Sequence, residues 1–262
     1  MSTLTYTLTD SATMLRRNLK RQLRYPSMTL QLVGLPIVFL LLFVYVFGGQ
    51  LGAGLGAHGG RGAYLDYVVP GILAMTVATA VLGTAISVAM DMTSGIIARF
   101  RTMAISRASV LTGHVLGSVI QTLVVIAAVI GVALGLGFRP TAGPLAWLAT
   151  VGMLILFTFA LIWLSVALGL AAKSVETAGN TPTFLVLLPF LGSAFVPTAS
   201  MPVGLRQFAE YQPFTPVIET VRGLLTGTPI GGNAVAAIAW SVGIALASYL
   251  WARRLYNCRR VR

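Results

Sequence analysis

The segment DMTSGIIARFRTMAISRASVLTG, residues 91–113, is a polar and basic interruption between two long apolar segments. Residues 67–90 before it carry no charged side chain, and residues 108–138 carry none apart from the weakly basic His114. Each flank is long enough to cross a bilayer, which requires roughly 20 apolar residues in a helix. The sequence therefore predicts two membrane spans joined by a polar connection. His114 is predicted to be an interfacial polar residue at the start of the span that follows the connection.

The connection itself is basic, with Arg99, Arg101 and Arg107 against a single acidic residue, Asp91. Short loops rich in arginine stay in the cytoplasm, so we predict that this connection is cytoplasmic. A short helix is also predicted, because apolar residues after Ser94-Gly95 recur at helical spacing: Ile96, Ile97, Phe100, Met103 and Ala104. Two interpretations stay open at this point, a solvated hairpin between spans and a docking element for a cytoplasmic partner.

The composition indicates an integral membrane protein. The 262 residues are 56% hydrophobic and only 9% charged, with a mean hydropathy of +0.87, whereas a soluble domain has about 25% charged residues. The net charge of +12 does not predict a nucleic-acid partner, because the basic residues separate apolar segments and do not cluster on one soluble face. The single cysteine, Cys258, excludes a disulfide within the chain.

Residues 1–28 form a separate unit, predicted to be a basic amphipathic helix that ends near Pro26. Apolar residues recur on one face: Leu8, Ala12, Leu15, Leu19 and Leu23. Basic residues fill the other face: Arg16, Arg17, Lys20, Arg21 and Arg24. Such a helix lies in the membrane interface; the alternative is a positive anchor that only fixes orientation.

The apolar segments predict an all-α membrane protein with six transmembrane helices. The predicted spans are residues 30–47, 68–90, 115–137, 146–171, 182–196 and 234–250. Pro36 is expected to kink the first, and Pro189 interrupts the short fifth span. A basic cytoplasmic tail, residues 253–262, is expected after the sixth.

Between the fifth and sixth spans, residues 197–233 hold two amphipathic helical patterns that are too short to cross a membrane. The first is predicted to start at Ser200, and the second at Thr215 with termination at Gly227. This pattern predicts a re-entrant or interfacial hairpin, which requires protein or water to satisfy its backbone at membrane depth.

The distribution of basic residues predicts the orientation. With both termini in the cytoplasm, fourteen of the 18 Lys and Arg residues lie in inner segments. The outer loops then hold only four: Arg61, Arg139, Arg206 and Arg222. The opposite orientation would invert this bias, so we predict a multi-pass protein of the cytoplasmic membrane with both termini inside.

Residue usage also argues against several chemistries. A P-loop requires Gly-Lys followed by Ser or Thr, whereas the only lysines, Lys20 and Lys173, follow Leu19 and Ala172. The sequence has no His-Glu-x-x-His zinc motif, and the interiors of the predicted spans hold no Asp, Glu, Lys or Arg. Intramembrane charges mark ion pathways and proton relays. We therefore predict no catalytic residues, no metal, no cofactor and no ion coupling.

Three stretches of sequence carry a further indication. They are YLDYVVPGIL (64–73), GIIARFRTMAISR (95–107), and a third set formed by FVP (195–197), MP (201–202), QPFTP (212–216), RGLL (222–225) and Gly227. In this order they resemble the entry to the second span, the cytoplasmic loop and the extracellular hairpin of permease subunits of ABC-2 exporters, close to the daunorubicin-resistance branch. The resemblance covers essentially the whole chain.

The resemblance implies a half-transporter in which two six-span permeases pair, as copies or sister chains, and two separate ATPase subunits bind below. The N-terminal helix would contact the ATPase through Arg16, Arg17, Lys20, Arg21 and Arg24. The cytoplasmic loop would do so through Asp91, Gly95, Arg99, Phe100, Arg101, Ser106 and Arg107. The hairpin would form part of an outer gate with Pro197, Pro202, Pro213, Phe214, Pro216 and Arg222.

The predicted function is therefore a permease subunit that exports a hydrophobic or amphipathic substrate, a drug, lipid or glycolipid, with ATP hydrolysed by another subunit. The permease itself is expected to be no enzyme. The alternatives are a non-transporting membrane scaffold or assembly subunit and a membrane-embedded enzyme; the latter would need polar catalytic residues converging within the spans.

Overall fold

The computed structural model of the chain describes residues 26–54, 60–93 and 107–258. These residues form helices, turns and irregular segments, and none of them lies in a strand. Five helices of the described chain are long and apolar enough to cross a membrane. They lie over the first, second, third, fourth and sixth of the predicted spans.

The first span is a continuous helix with one irregularity. Helix α1 (Pro26–Leu41) passes through Pro36, a π-helical segment follows (Leu42–Phe47), and α2 (Gly48–Ala53) completes it. The helical chain therefore extends beyond the predicted end at residue 47. A π-helical segment inside an α-helix is rare and is frequently found near functional sites.

Helix α3 (Arg61–Thr93) is the centre of the bundle. With 33 residues it is about 50 Å long at 1.5 Å per residue, more than the roughly 30 Å of a bilayer core. Every residue from 68 to 81 is buried, which explains why this stretch is apolar on all sides. Around it pack α1 and α2 together with most of the later helices.

Three further long helices follow α3 in the chain. They are α4 (Arg107–Gly135), α5 (Pro144–Ala171) and α10 (Asn233–Cys258). Helix α5 begins with proline at its first position, where the missing N–H costs nothing, and packs between α3 and α10. Helix α10 extends through Cys258, so residues 253–258 of the predicted tail continue the last span as helix.

The interruption that the sequence predicts at Pro189 in the fifth span is present, and the span is not one helix. After a short helix, α6 (Val175–Asn180), the chain forms the five-residue α7 (Thr183–Leu187) and then a 3-10 turn (Leu188–Leu191). The chain is extended at Gly192, where φ is −122° and ψ is −161°. Proline at 182 and 189 removes two backbone donors from this stretch, so no helix runs through residues 182–196.

The hairpin between the last two spans contains the two expected short helices. A 3-10 turn (Thr198–Ser200) precedes α8 (Val203–Tyr211). Helix α9 (Phe214–Thr226) follows and contacts α8. The predicted termination at Gly227 is confirmed, because its φ of +75° is left-handed and its N–H bonds the Gly223 carbonyl at 2.9 Å.

Candidate functional site

The loops predicted to be external meet at one end of the bundle, which we call the outer end. The N–H of Thr141, between α4 and α5, donates to the carbonyl of Leu225 in α9 at 2.9 Å. At the opposite, inner end lie the last turns of α3, the first turns of α4 and helix α6. Candidate sites at both ends are built from polar groups that the apolar helices bring together.

The most connected side chain at the outer end is Arg222 of α9, which is only 6% exposed. Its Nε and Nη2 donate to the carbonyl of Tyr67 in α3 at 3.2 and 3.1 Å. Nη2 also donates to the carbonyl of Ser193 at 2.7 Å, and Nη1 pairs with the Glu219 carboxylate. The guanidinium carbon lies 3.8 Å from the centroid of the Tyr67 ring, so a cation–π contact adds to these bonds.

Other side chains cap the irregular backbone between α7 and α8. The hydroxyl of Tyr67 donates to the Ser193 carbonyl at 3.0 Å, and that of Tyr64 donates to the Phe195 carbonyl at 3.1 Å. The Gln212 amide donates to the carbonyl of Leu188 at 2.9 Å. Because buried carbonyls without donors are costly, these side chains are what allows the fifth span to be interrupted inside the protein.

Two glycines permit this segment to lie against the bundle. A Cβ added to Gly71 of α3 would come within 2.7 Å of the Cα of Ala194, and one added to Gly192 within 2.7 Å of the Thr215 hydroxyl. Real Cβ atoms do not approach neighbours so closely. Gly71 therefore requires the absence of a side chain, because the atoms it would meet are backbone, whereas a side chain at Gly192 would have to displace those of Gln212 and Thr215. The backbone of the interrupted span therefore touches the backbone of α3.

Aromatic rings cover the other side of the interrupted segment. Phe43, in the π-helical segment, stacks on Phe195 with centroids 4.2 Å apart, and Phe195 stacks on Phe190 at 4.7 Å. Offset stacking of this kind stabilises beyond simple burial. The π-helical segment thus serves to place Phe43 against the break in the fifth span.

Two buried polar atoms at this end find no hydrogen-bond partner among the described residues, the Ser193 hydroxyl and the Gln212 carbonyl oxygen. Ser193 is 1% and Gln212 5% exposed. Their neighbours are the guanidinium of Arg222 and the Thr215 hydroxyl, which accepts the Ser193 N–H at 3.3 Å. The outer end therefore holds a small polar cluster inside an otherwise apolar bundle.

The predicted gate residues occupy different places in this arrangement. Phe214 is fully buried, with its ring 5.1 Å from that of Phe157, and Pro216 is buried in the first turn of α9. Pro197, Pro202 and Pro213 precede the 3-10 turn, α8 and α9 respectively, where each serves as the residue before the first helical position. Of the set, Arg222 alone makes long-range polar contacts that an apolar or proline side chain cannot make.

At the inner end, Asp91 of α3 and His114 of α4 form a buried pair. Their carboxylate oxygen and imidazole Nε2 are 3.0 Å apart, and the two residues are 3% and 5% exposed. His114 is predicted as an interfacial polar residue where its span starts; the structure places it near the start of α4, with its imidazole buried against Asp91. A direct contact between Asp91 and a partner protein would require this pair to open.

The other predicted contacts with a partner fall outside the described residues. These are Arg16, Arg17, Lys20, Arg21 and Arg24 of the N-terminal unit, and Gly95, Arg99, Phe100, Arg101 and Ser106 of the basic connection. Arg107 begins helix α4. Among the described residues, no group of three His, Cys, Asp or Glu side chains could hold a metal ion.

Comparison with known proteins agrees with this architecture. A sequence model of the family described as ABC-2 type transporter matches residues 10–226. The daunorubicin resistance ABC transporter permease protein DrrB1 of Streptomyces coeruleorubidus is 30% identical over 224 residues, 85% of this chain and 74% of the relative. The probable doxorubicin resistance ABC transporter permease protein DrrC of Mycobacterium tuberculosis is 25% identical over 212 residues, 81% of this chain and 75% of the relative.

Proposed function

This chain belongs to the ABC-2 type transporter family, and we propose that it is the permease subunit of an exporter whose ATP is hydrolysed by a separate subunit. In this proposal two permeases, identical or sister chains, pair in the cytoplasmic membrane and two ATPase subunits bind on the cytoplasmic side. The substrate is hydrophobic or amphipathic, a drug, lipid or glycolipid. Drug-like compounds are favoured, because the relatives are named for daunorubicin and doxorubicin resistance.

The observation that carries the proposal is the position of the buried charges. In the part of the chain that the structure describes, the buried Asp, His and Arg side chains are Asp91 and His114 at the inner end and Arg222 at the outer end. Between these ends the long helices bury apolar residues and hydroxyls. Proton and sodium carriers commonly use carboxylates or histidines near the bilayer centre. The positions of Asp91, His114 and Arg222 therefore favour transport driven by ATP that a separate subunit hydrolyses.

The proposed topology has six crossings, with the fifth interrupted and followed by an outer re-entrant hairpin. Support comes from the capped carbonyls of Ser193 and Phe195, since irregular backbone is tolerated at membrane depth where protein satisfies it. Both termini face the cytoplasm because that orientation puts most basic residues inside. Cysteines at Gly59 and Pro229, in a Cys258→Ser background, should then react with an impermeant thiol reagent added outside, and a cysteine at Ala12 should not.

The ATPase is proposed to dock on the N-terminal helix and on the basic connection. The contacting side chains would be Arg16, Arg17, Lys20, Arg21, Arg24, Arg99, Phe100, Arg101, Ser106 and Arg107, with Gly95 providing a close approach. Asp91 is proposed to act from within, by holding the end of α3 against His114, because its carboxylate is buried. The connection then joins two helix ends that are fixed to each other.

The test is transport in sealed vesicles that contain the permease and its ATPase. Daunorubicin transport should require ATP, proceed without an imposed ion gradient and stop when the P-loop lysine of the ATPase is replaced. A protonophore should leave it largely unchanged. Transport that persists without the ATPase and collapses with the proton gradient would overturn the proposal.

A matched measurement addresses the scaffold alternative. The permease alone should hydrolyse no ATP, and the purified complex should show ATPase activity that the transported compound stimulates. If the complex forms but none of a drug, a phospholipid and a glycolipid is moved, the chain is an assembly subunit and the proposed export function is wrong.

A further inference from the structure

One buried guanidinium joins three parts of the chain that are far apart in sequence. We infer that Arg222 is a positioning residue that clamps helix α9 to the outer end of α3 and to the interruption of the fifth span, so that these three parts move as one unit. The inference rests on the proposed function only in so far as it concerns movement during transport.

Arg222 forms hydrogen bonds from α9 both to α3 and to the interrupted fifth span. It donates to Tyr67, 155 residues away in sequence, and to Ser193, 29 residues away. The hydroxyl of Tyr67 donates to the same Ser193 carbonyl. The three residues therefore close a ring of hydrogen bonds in which each part of the clamp is held by the other two.

The Arg222 guanidinium is buried and bonded on several sides, so that moving α9 would break several of its contacts together. Its side chain is 8% exposed and pairs with Glu219, whose side chain is 31% exposed, on the same helix. Withdrawing α9 from α3 and from the interrupted span would take the guanidinium away from the Tyr67 and Ser193 carbonyls and from the Tyr67 ring, and Glu219 on α9 would be its remaining partner. Removing these partners from a buried cation is costly. A planar guanidinium bridges separated acceptors with fixed geometry, which a lysine ammonium does not reproduce.

Close backbone contacts support the same unit. The absence of a side chain at Gly71 lets the backbone of Ala194 lie directly against α3. A Cβ on Gly223 would lie 2.8 Å from the Thr228 carbonyl oxygen, so the chain after α9 folds back onto that helix. An outer opening for substrate would then lie between this unit and other helices, and not between α9 and α3.

Distance measurements between spin labels test the clamp in the permease alone, in lipid nanodiscs. Labels are attached to Gly62→Cys, where an added Cβ meets no atom within 4 Å, and to the exposed Pro229→Cys, in a Cys258→Ser background. The unmodified clamp should give a narrow distance distribution. Arg222→Met should about double its width, and Arg222→Lys should give an intermediate width.

Controls separate the clamp from general loosening. Arg206→Met removes an exposed arginine that pairs with Glu210 on α8, and it should leave the distribution narrow. A second label pair, Gly62→Cys with Gly135→Cys at the end of α4, should stay unchanged in Arg222→Met, since an added Cβ at either site meets no atom within 4 Å. If Arg222→Met does not fold, Tyr67→Phe replaces it, because it removes the hydroxyl bond to Ser193 and keeps the ring under the guanidinium.

The same labels then report on movement in the complex with the ATPase, trapped with ATP and vanadate. An unchanged distance between residues 62 and 229, alongside a change between 62 and 135, supports a unit that moves together. An Arg222→Met distribution as narrow as the original would overturn the clamp, as would a shift between 62 and 229 on trapping. Absence of transport with an intact, arginine-dependent distance would count against the proposed function while leaving the clamp supported.

Discussion

The two ends of the bundle are held together by different means. At the outer end, Arg222, Tyr67, Tyr64 and Gln212 satisfy the carbonyls of an interrupted span, and aromatic rings stack on its other side. At the inner end, a buried carboxylate–imidazole pair joins α3 to α4. The outer end is thus an extensive network within one chain, whereas the described part of the inner end is joined by one buried pair, beside the connection where we propose that the ATPase docks.

This difference suggests a division of labour. A dense buried network fixes relative positions, because removing any member leaves its partners unsatisfied. A connection between two helix ends instead transmits movement, since displacing it moves both helices. We therefore expect substitutions at the outer end to affect stability first, and substitutions in the basic connection to affect coupling first.

The largest effect is expected from Arg99→Glu combined with Arg101→Glu in the basic connection. Transport should be abolished while insertion and thermal stability stay unchanged, because reversing two charges opposes docking of the ATPase. Transport in vesicles and the melting temperature of the purified permease are the two measurements. Normal export by the double variant would mean that these arginines only set topology.

The next effect concerns backbone packing at the outer end. Gly71→Ala should destabilise the protein by about 1–3 kcal/mol, the usual cost of forcing an extra methyl group into a packed interior, since Ala194 lies against Gly71. Gly83→Ala on the same helix is the matched control, because an added Cβ there meets no atom within 4 Å. Unfolding of both variants in the same detergent compares them; equal stability would show that α3 and the interrupted span separate easily.

Features that depend on residues close together in the sequence could be predicted, and contacts between residues far apart in the sequence could not. Apolar segments and prolines act locally, so the five long helices, the break at Pro189 and the cap at Gly227 were readable from sequence. The contact of Arg222 with Tyr67 spans 155 residues, and no local pattern encodes it. From the sequence, Arg222 is predicted only as a basic residue of an outer loop and as a gate residue, although its position four residues after Ile218 puts it on the apolar face of α9.

The inner pair could not be recognised for a related reason. Asp91 and His114 flank the basic connection, and as single residues each is typical of a membrane interface. Only the antiparallel arrangement of α3 and α4 brings them together, 23 residues apart in sequence. A search for polar residues at similar distances on either side of a predicted hairpin would have found the pair.

A somewhat smaller effect is expected at this inner pair. Asp91→Asn and His114→Gln should each lower stability, and a double-mutant cycle should give a coupling energy of about 0.5–3 kcal/mol, as found for residues in contact. Chemical or thermal unfolding of the four proteins provides the cycle. Strict additivity would mean that the two side chains contribute independently, and the inner end would then be joined by the helix packing alone.

The smallest effect is expected from Tyr64→Phe at the outer end. This change removes the hydroxyl that donates to the Phe195 carbonyl at 3.1 Å and leaves the ring in place. The loss should be about 0.5–1.5 kcal/mol, the net contribution of a single hydrogen bond. Tyr249→Phe is the control, because that ring is 40% exposed and its contact with Trp163 does not involve the hydroxyl.

Hydrogen exchange in the Tyr64→Phe variant tests the difference between the two ends of the bundle. If the outer end works as a network, Tyr64→Phe should also raise hydrogen exchange of the amides between residues 192 and 196, because their segment loses one of its anchors. Exchange at the inner ends of α3 and α4 should not change, since the Asp91–His114 pair lies at the opposite end of the bundle. An equal rise at both ends would show that the bundle loosens as a whole, and the distinction between a fixed outer end and a transmitting inner end would fail.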